Sequence, residues 1–220
     1  MIDDRLETIE ITHNSDEWYD FRRQGVGGSD AACIFGLSPW KSVNDLWAEK
    51  TGRKQPKDNG NADAKNYGKN AENYLSRLFA LDFPEYEVLT VKDKVYKRGF
   101  MFASLDGELV DKNTGKKGIL EIKTASINSR LLKDKWDKGV PDNYYIQILH
   151  YLAVTGYDFA VLKARLKDTD KDGKPFITVK HYFFDRQSVS NDIDLLVDKE
   201  TKFWECVEKK RRPPVIIPNL

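Results

Sequence analysis

"GILEIKTAS", residues 118–126, decides how the rest of the chain is read. The stretch is largely apolar, yet a carboxylate at Glu121 and an ammonium at Lys123 interrupt it. On a strand, side chains two apart leave on the same face, so Glu121 and Lys123 emerge together. The preceding run FMFASLDGELV (100–110) and the turn-rich DKNTGKK (111–117) make this stretch the second arm of a β-hairpin. Across that hairpin Asp106 falls close to directly opposite the pair. Two carboxylates and one ammonium then converge on one patch of sheet.

Carboxylates gathered this tightly repel one another unless a cation lies between them. Oxygen ligands with no cysteine or histidine nearby suit Mg²⁺, with Mn²⁺ as a substitute. Magnesium shares phosphate oxygens readily, which directs the reading to phosphodiester chemistry, with Lys123 orienting a water, helping discharge its proton or neutralising developing charge. The bland alternative is a cross-face ion pair, common on strands. Two more residues weigh against it. Glu72 borders the apolar stripe of a helix instead of facing open water, and Gln147 sits among the tyrosines of a later helix.

Outward from the hairpin, the periodicity predicts a first helix opening at 14–16 and stopping before Gly25, then GVGGSDAACIFG (25–36), with Ser29 as N-cap of a short helix. The glycine spacing there fits neither a dinucleotide fingerprint nor a phosphate loop of the Gly-Lys-Ser/Thr type. Ser42 and Asp45 form a capping box for a helix ending near Gly52, and 53–65 reads as a polar loop. A long helix comes next, with Tyr67, Ala71, Leu75, Leu78 and Phe79 as its apolar stripe. Strands at YEVLTV, KVYKR, 100–110 and 118–124 read as a meander ending in the hairpin. Helices near 127–138 and 142–155, strands near 157–166 and 176–184, and a helix over 188–209 complete the order. The fold class is α/β: a single domain over 1–220, motif-bearing over about 16–208, with one central mixed sheet flanked by helices.

Composition narrows the function classes. Forty per cent hydrophobic residues support a sizeable core, and 36 basic against 35 acidic side chains leave a net charge of +1, which excludes a uniformly positive DNA-coating protein but not a local basic surface. Cys33 and Cys206, far apart in helical segments, read as reduced buried thiols, too few for a zinc site or an iron–sulfur cluster. No apolar run is long enough to span a bilayer and the acidic start lacks a signal-peptide layout, so a cytoplasmic protein with no membrane partner is expected. Basic positions that could track phosphates are Arg53, Lys54, Lys57, Lys133, Lys135 and 209–212, most of them expected to be solvated surface. Trp40, after the Ser-Pro turn, is expected to pack in the core, with stacking on a displaced base as the alternative.

With these residues assembled, the sequence resembles the YqaJ-like phage-type recombination exonucleases, the phage lambda exonuclease family within the PD-(D/E)xK nuclease superfamily. The likeness runs through W-x-x-x-R-x-x-x-V-G-G-S-D-A, Y-G-K-N-A-E, S-L-D-G, L-E-I-K-T-A and Y-x-x-Q-x-x-H-Y-L-A-V-T-G in that order. The resemblance implies a restriction-endonuclease-like core. It implies Asp106 and Glu121 as metal ligands with the backbone carbonyl of Ile122, Glu72 completing the shell directly or through water, Lys123 as catalytic lysine, and Gln147 positioning the nucleophile or phosphate. Arg22, Ser29 and Ser104 match the positions that hold a 5′-terminal phosphate. The activity it implies is that of a Mg²⁺-dependent 5′→3′ exonuclease on double-stranded DNA ends, encoded by a phage or prophage, releasing 5′-mononucleotides and leaving a 3′ tail. A ring-shaped homotrimer and a single-strand annealing protein as partner belong to the same resemblance. The residues themselves leave open a structure- or site-specific endonuclease, or an inactive DNA-binding assembly module.

Overall fold

A computed structural model describes residues 5–13, 15–56 and 62–214. Along them run β1 (Glu7–Glu10), α1 (Asp16–Arg23), β2 (Val26–Gly27), α2 (Gly28–Ile34), α3 (Val43–Lys50), α4 (Ala62–Asp82), β3 (Tyr86–Leu89), β4 (Lys94–Arg98), β5 (Met101–Ala103) and β6 (Gly107–Asp111). After these come β7 (Lys117–Ser126), α5 (Arg130–Lys138), α6 (Asp142–Thr155), β8 (Phe159–Thr169), β9 (Pro175–Asp185) and α7 (Ser190–Glu208). The α/β class and a single mixed domain are as expected.

The sheet is not one but two, in strand orders β3-β6-β7-β8-β9 and β1-β4-β5-β2. The run 100–110, read as one strand, breaks at Ser104-Leu105-Asp106, so that β5 enters the smaller sheet and β6 the larger. The expected meander fails for the same reason. Strand β4 pairs with β5 in the smaller sheet, while β3 pairs with β6 in the larger one. The predicted hairpin holds: β6 and β7 are antiparallel with Gly107 opposite Leu120, and Asp111 closes the turn by accepting from the Asn113 N–H at 2.8 Å, with Gly115 at φ +71°. Strand β7 continues parallel to β8, the connection running through α5 and α6.

Both faces of the larger sheet are covered, which is why β7 and β8 are nearly continuous in apolar residues. On one face α6 presses Ile148, Leu149 and Leu152 onto Ile119, Leu162 and Ala164; on the other α4 presses Leu75 and Phe79 onto Leu109, Leu120, Ile122 and Val161. Each such fully buried aliphatic side chain contributes about 1.5–3 kcal/mol over an exposed one. Of the predicted α4 stripe only Leu75 and Phe79 are buried; Leu78 and Tyr67 are 44% and 48% exposed, because the helix touches the sheet along a narrow line. Helix α4 begins at Ala62, inside the stretch read as a loop, whose residues 57–61 lie outside those described. Cys33 and Cys206 are free and buried in one cluster with Trp47, as expected of reduced thiols. The sheets and α7 are joined through His150, whose ring nitrogens face Glu200 at 2.8 Å and the Phe102 carbonyl at 2.9 Å. Both partners are acceptors, so the buried ring is satisfied with two protons, and its pKa is raised: burial opposes the charge and Glu200 outweighs it.

Candidate active site on the β6–β7 hairpin

Strand β6 begins at Gly107, opposite Leu120, where the chain arrives from β5, leaving the edge of β7 from Glu121 onward without a β6 neighbour. Asp106, the residue just before β6, puts Oδ2 2.7 Å from the Ile122 N–H and accepts from it. The N–H and C=O of one strand residue leave on the same edge, so the Ile122 carbonyl is directed into the same notch. Asp106 thus lies against Glu121 and Lys123, as the hairpin register predicts.

Glu121 is 2% exposed. Its Oε1 accepts from Lys123 Nζ at 2.5 Å and from Gln147 Nε2 of α6 at 2.8 Å, while Oε2 is buried without a hydrogen-bond partner. A buried carboxylate oxygen left unmet costs on the order of 1–3 kcal/mol. Burial first and then Asp106 push the Glu121 carboxyl up to about 8, against the pull of Lys123. Glu72, half-buried on α4, is pushed up to about 7 by burial first and then by Asp106. Asp106 is itself raised by burial, opposed by Lys123 and then by the Ile122 N–H. Lys123 is held well above the usual ammonium range, because Glu121 and Asp106 outweigh its burial. Three carboxyls gather round the Lys123 ammonium, with Lys69 near enough to Glu72 to pull against its rise.

Every donor here is oxygen, which fits a hard divalent cation. Among the described residues no three His, Cys, Asp or Glu side chains are gathered into a ready-made ion cage. Magnesium keeps several waters and takes one or two carboxylates rather than a full protein shell. The unmet Glu121 Oε2, Asp106 and the Ile122 carbonyl edge are the ligands available, with Glu72 facing them.

Gln147 ties this centre to α2. Its amide also donates to the Tyr151 hydroxyl at 2.8 Å, and the Tyr151 ring lies so near Gly28 that a Cβ there would stand 2.4 Å from Tyr151 Cε1. Gly28→Ala is therefore expected to destabilise the fold by about 1–3 kcal/mol through overpacking, measured by denaturant unfolding. Unchanged stability would show that α2 and α6 are not in close contact.

Helix α2 is capped at Gly27, not Ser29: Asp30 accepts from the Gly27 N–H at 3.3 Å, and Ser29 sits in the first turn. The N–H nearest the cap is met by the Asp30 carboxylate, which leaves the Ser29 hydroxyl to accept from Arg22 Nη2 at 3.0 Å. Arg22 also reaches Asp30 at 3.3 Å, and Lys50 donates to the second Asp30 oxygen at 2.7 Å and to the Arg22 carbonyl at 2.6 Å. Arg22 and Ser29 are joined directly. Ser104 meets neither; its hydroxyl pairs with His13 Nε2 at 2.7 Å. His13 stands near enough to both Arg22 and Asp106 to feel their charges, and burial, chiefly, holds it below the usual imidazole range. The sequence carried no signal for His13 or for the Lys50–Asp30 anchor, since both depend on contacts between distant segments. Trp40 is not in the core. It is 62% exposed, turned out by a bend in which the Ser38 hydroxyl accepts from the Trp40 and Lys41 N–H groups. Several of the basic candidates have local partners: Arg53 lies on the Trp47 ring, Lys54 pairs with Asp45, Lys133 with Asp137 and Lys209 with Glu205. Lys57 lies outside the described residues.

Comparison with known proteins settles the family. The model of the YqaJ-like viral recombinase domain matches residues 17–158, a segment that holds the Arg22–Ser29 pair, Glu72, the β6–β7 hairpin and Gln147. The chain belongs to the YqaJ-like viral recombinase domain family. It is 34% identical over 206 residues to the uncharacterized protein YqaJ of Bacillus subtilis (strain 168), covering 86% of this chain and 55% of that protein. This YqaJ-like chain thus spans about half the length of that relative. Its fold is shared with an alkaline exonuclease (LHK-Exo) from Laribacter hongkongensis, at TM-score 0.61 and 20% identity over 89% of this chain and 94% of that one. It is shared also with a phage-related exonuclease from Haemophilus somnus 129PT, at TM-score 0.55 and 12% identity over 87% and 98%. Beyond the matched segment the YqaJ-like chain continues through β8, β9 and α7, which complete the larger sheet and its helical cover. The family is thus shown by sequence, and the fold is one shared with solved exonucleases. Among the described residues no helix is long and apolar enough to cross a membrane.

Proposed function

We propose that this YqaJ-like domain is a Mg²⁺-dependent exonuclease that digests one strand of linear double-stranded DNA from its 5′ end, releasing 5′-mononucleotides and leaving a 3′ single-stranded tail for annealing-type recombination in the cytoplasm of a bacterial host. The observation that carries it is the Asp106–Glu121–Lys123 cluster, in which a buried carboxylate has one oxygen unmet. Asp106, Glu121 and the Ile122 carbonyl would hold the ion, with Glu72 beside them or reaching it through water. When bound, that ion supplies Lewis-acid polarisation of the scissile phosphate and a more acidic water.

The chain's own groups supply the remainder. Lys123 lies one residue from the ligand edge, tied to Glu121, where its ammonium opposes charge developing on the phosphorus oxygens. Gln147 holds Glu121 Oε1 and fixes that carboxylate against rotation. Water attacks in line and the 3′-oxygen departs. A protein of the same fold is described in complex with dAMP, a mononucleotide of the kind such digestion would release. The homotrimeric ring and the annealing partner belong to the same reading.

Arg22 and Ser29 would take the 5′-terminal phosphate, with Ser104, oriented by His13, on the side nearer Asp106. Two cations and one carboxylate in the Arg22–Asp30–Lys50 cluster leave a net +1 to receive it. Arg22→Ala is expected to cut the preference for 5′-phosphorylated over 5′-hydroxyl ends by roughly tenfold to a hundredfold, the worth of a charge-assisted contact. Competition between the two ends measures it, and equal loss on both would reassign Arg22 to structural support of Asp30. Polarity is read from duplexes labelled at one end: a 5′ label should leave as mononucleotide at once, and early release of a 3′ label would refute the direction proposed.

A further inference from the structure

Beyond Lys123 the strand β7 runs on through Thr124, Ala125 and Ser126 into an open cleft of about 580 Å³. That volume lies within the range of ligand clefts, about 300–1,000 Å³. Its walls are built from two sides. Helix α4 contributes its first turns, where Gly68 brings the backbone against Thr124, a Cβ there lying 3.4 Å from Thr124 Oγ1. The sheet contributes Arg165 and Lys167, in register with Thr124 and Ser126 on the neighbouring strand. Tyr67 projects from α4 into this space, 48% exposed, with the Arg165 guanidinium 5.6 Å from its ring centre.

The cleft lies along α4 from Glu72, on the face of the sheet opposite both the end-phosphate pocket and the Glu121 and Lys123 side chains, which point to α6. Gly28, at the start of the Ser29 helix, abuts Tyr151 and Gln147 of α6, whereas the cleft belongs to the α4 face. Glu72 is one turn of α4 beyond Gly68, so the helix that walls the cleft also carries the acid facing Asp106. Beyond Leu120 the edge of β7 has no β6 neighbour, and across that open edge a strand with its terminal phosphate at Arg22 and its first phosphodiester at Asp106 and Glu121 would reach this cleft. An exposed aromatic ring beside two cations matches how single-stranded nucleic acid is held: bases stack on the ring and phosphates meet the cations. Asp63 at the mouth is the acid among the lining residues, and Arg165 with Lys167 outnumbers it.

We propose that this cleft binds the unpaired nucleotides on the 3′ side of the scissile phosphate, with a base stacked on Tyr67 and the backbone neutralised by Arg165 and Lys167. The assignment rests on the exonuclease reading for which nucleotides arrive there, though not for the chemistry of the cleft itself. The test is fluorescence anisotropy of a labelled 5′-phosphorylated single-stranded oligonucleotide on the full chain, in chelator so that nothing is cut. Tyr67→Ala should weaken binding roughly 5- to 150-fold, the loss of a single base–aromatic stack, and Tyr67→Phe should restore it. Arg165→Ala and Lys167→Ala should each lower the slope of log affinity against log salt by about 1. A crosslink from 5-iododeoxyuridine placed a few nucleotides from the 5′ end should map to the peptide holding Tyr67. Native affinity and salt slope in all these variants would overturn the proposal and leave the cleft to a protein partner. If wild-type protein fails to hydrolyse DNA in Mg²⁺ while Tyr67-dependent binding persists, the exonuclease reading falls and the cleft assignment stands.

Discussion

Lys123→Ala and Asp106→Asn each lose at least about a thousandfold in hydrolysis of linear duplex DNA, while their DNA binding stays close to wild type. The two variants fail for different reasons. Lys123 is the ammonium tied to Glu121 Oε1 at 2.5 Å, and its loss removes the cation that faces developing phosphate charge. It is 22% exposed at the side chain, so truncation opens no deep cavity. Asparagine at 106 retains an oxygen to accept from the Ile122 N–H, preserving the hairpin end, and removes only the charge that would hold a divalent ion. Single-turnover digestion with saturating enzyme separates this from weakened binding. Native rates in either variant would move the catalytic centre elsewhere.

Asp30→Ala destabilises the protein by about 3–5 kcal/mol, because it leaves the Lys50 ammonium buried without its counter-charge. Lys50 and Asp30 are 5% and 4% exposed at their side chains and 2.7 Å apart, and Asp30 also holds Arg22 and the N–H of Gly27. For a chain of this size that corresponds to roughly 6–20 °C in melting temperature. Replacing both partners, as in Asp30→Ala with Lys50→Met, should recover much of the loss, since the unpaired charge is gone. The pH dependence has a definite sign. Burial disfavours the charged carboxylate, but Lys50 and then Arg22 outweigh it, so Asp30 titrates well below the usual carboxylate range in the folded state. Its contribution is therefore complete above the unfolded carboxylate value of about 3.9 and is lost as pH falls below it. The Asp30→Ala protein should lack that part of the acid-unfolding profile. A double variant as unstable as the single one would mean that Asp30 acts through Arg22 and Gly27 and not through Lys50.

The hairpin was legible because its signals are local. Alternation fixed which side chains share a face, DKNTGKK fixed the turn, and together they set Asp106 beside Glu121 and Lys123. Glu72 and Gln147 were legible as polar residues bordering apolar helical faces, and both face the same carboxylates. The division into two sheets was not, because Ser104-Leu105-Asp106 carries no glycine or proline to mark a break. The chain changes sheet there, β5 pairing with β4 in the smaller sheet and β6 with β3 in the larger. Ser29 was misplaced as the cap since serine usually outcompetes glycine there, yet Asp30 three residues after Gly27 supplies the cap contact from inside the helix. His13 lies 91 residues from the serine it orients, and Lys50 lies 20 from the carboxylate it neutralises, separations no periodicity records.

Whether the β6–β7 hairpin cuts DNA with a divalent ion at strand ends is decided by a single digestion. Equal amounts of 5′-phosphorylated linear duplex and covalently closed circle are incubated with the protein, with Mg²⁺ and with chelator. Mononucleotides are expected from the linear duplex in Mg²⁺ alone, and an intact circle in both conditions. Cutting of the circle would make the enzyme an endonuclease, and digestion that persists in chelator would contradict a metal centre at Asp106 and Glu121.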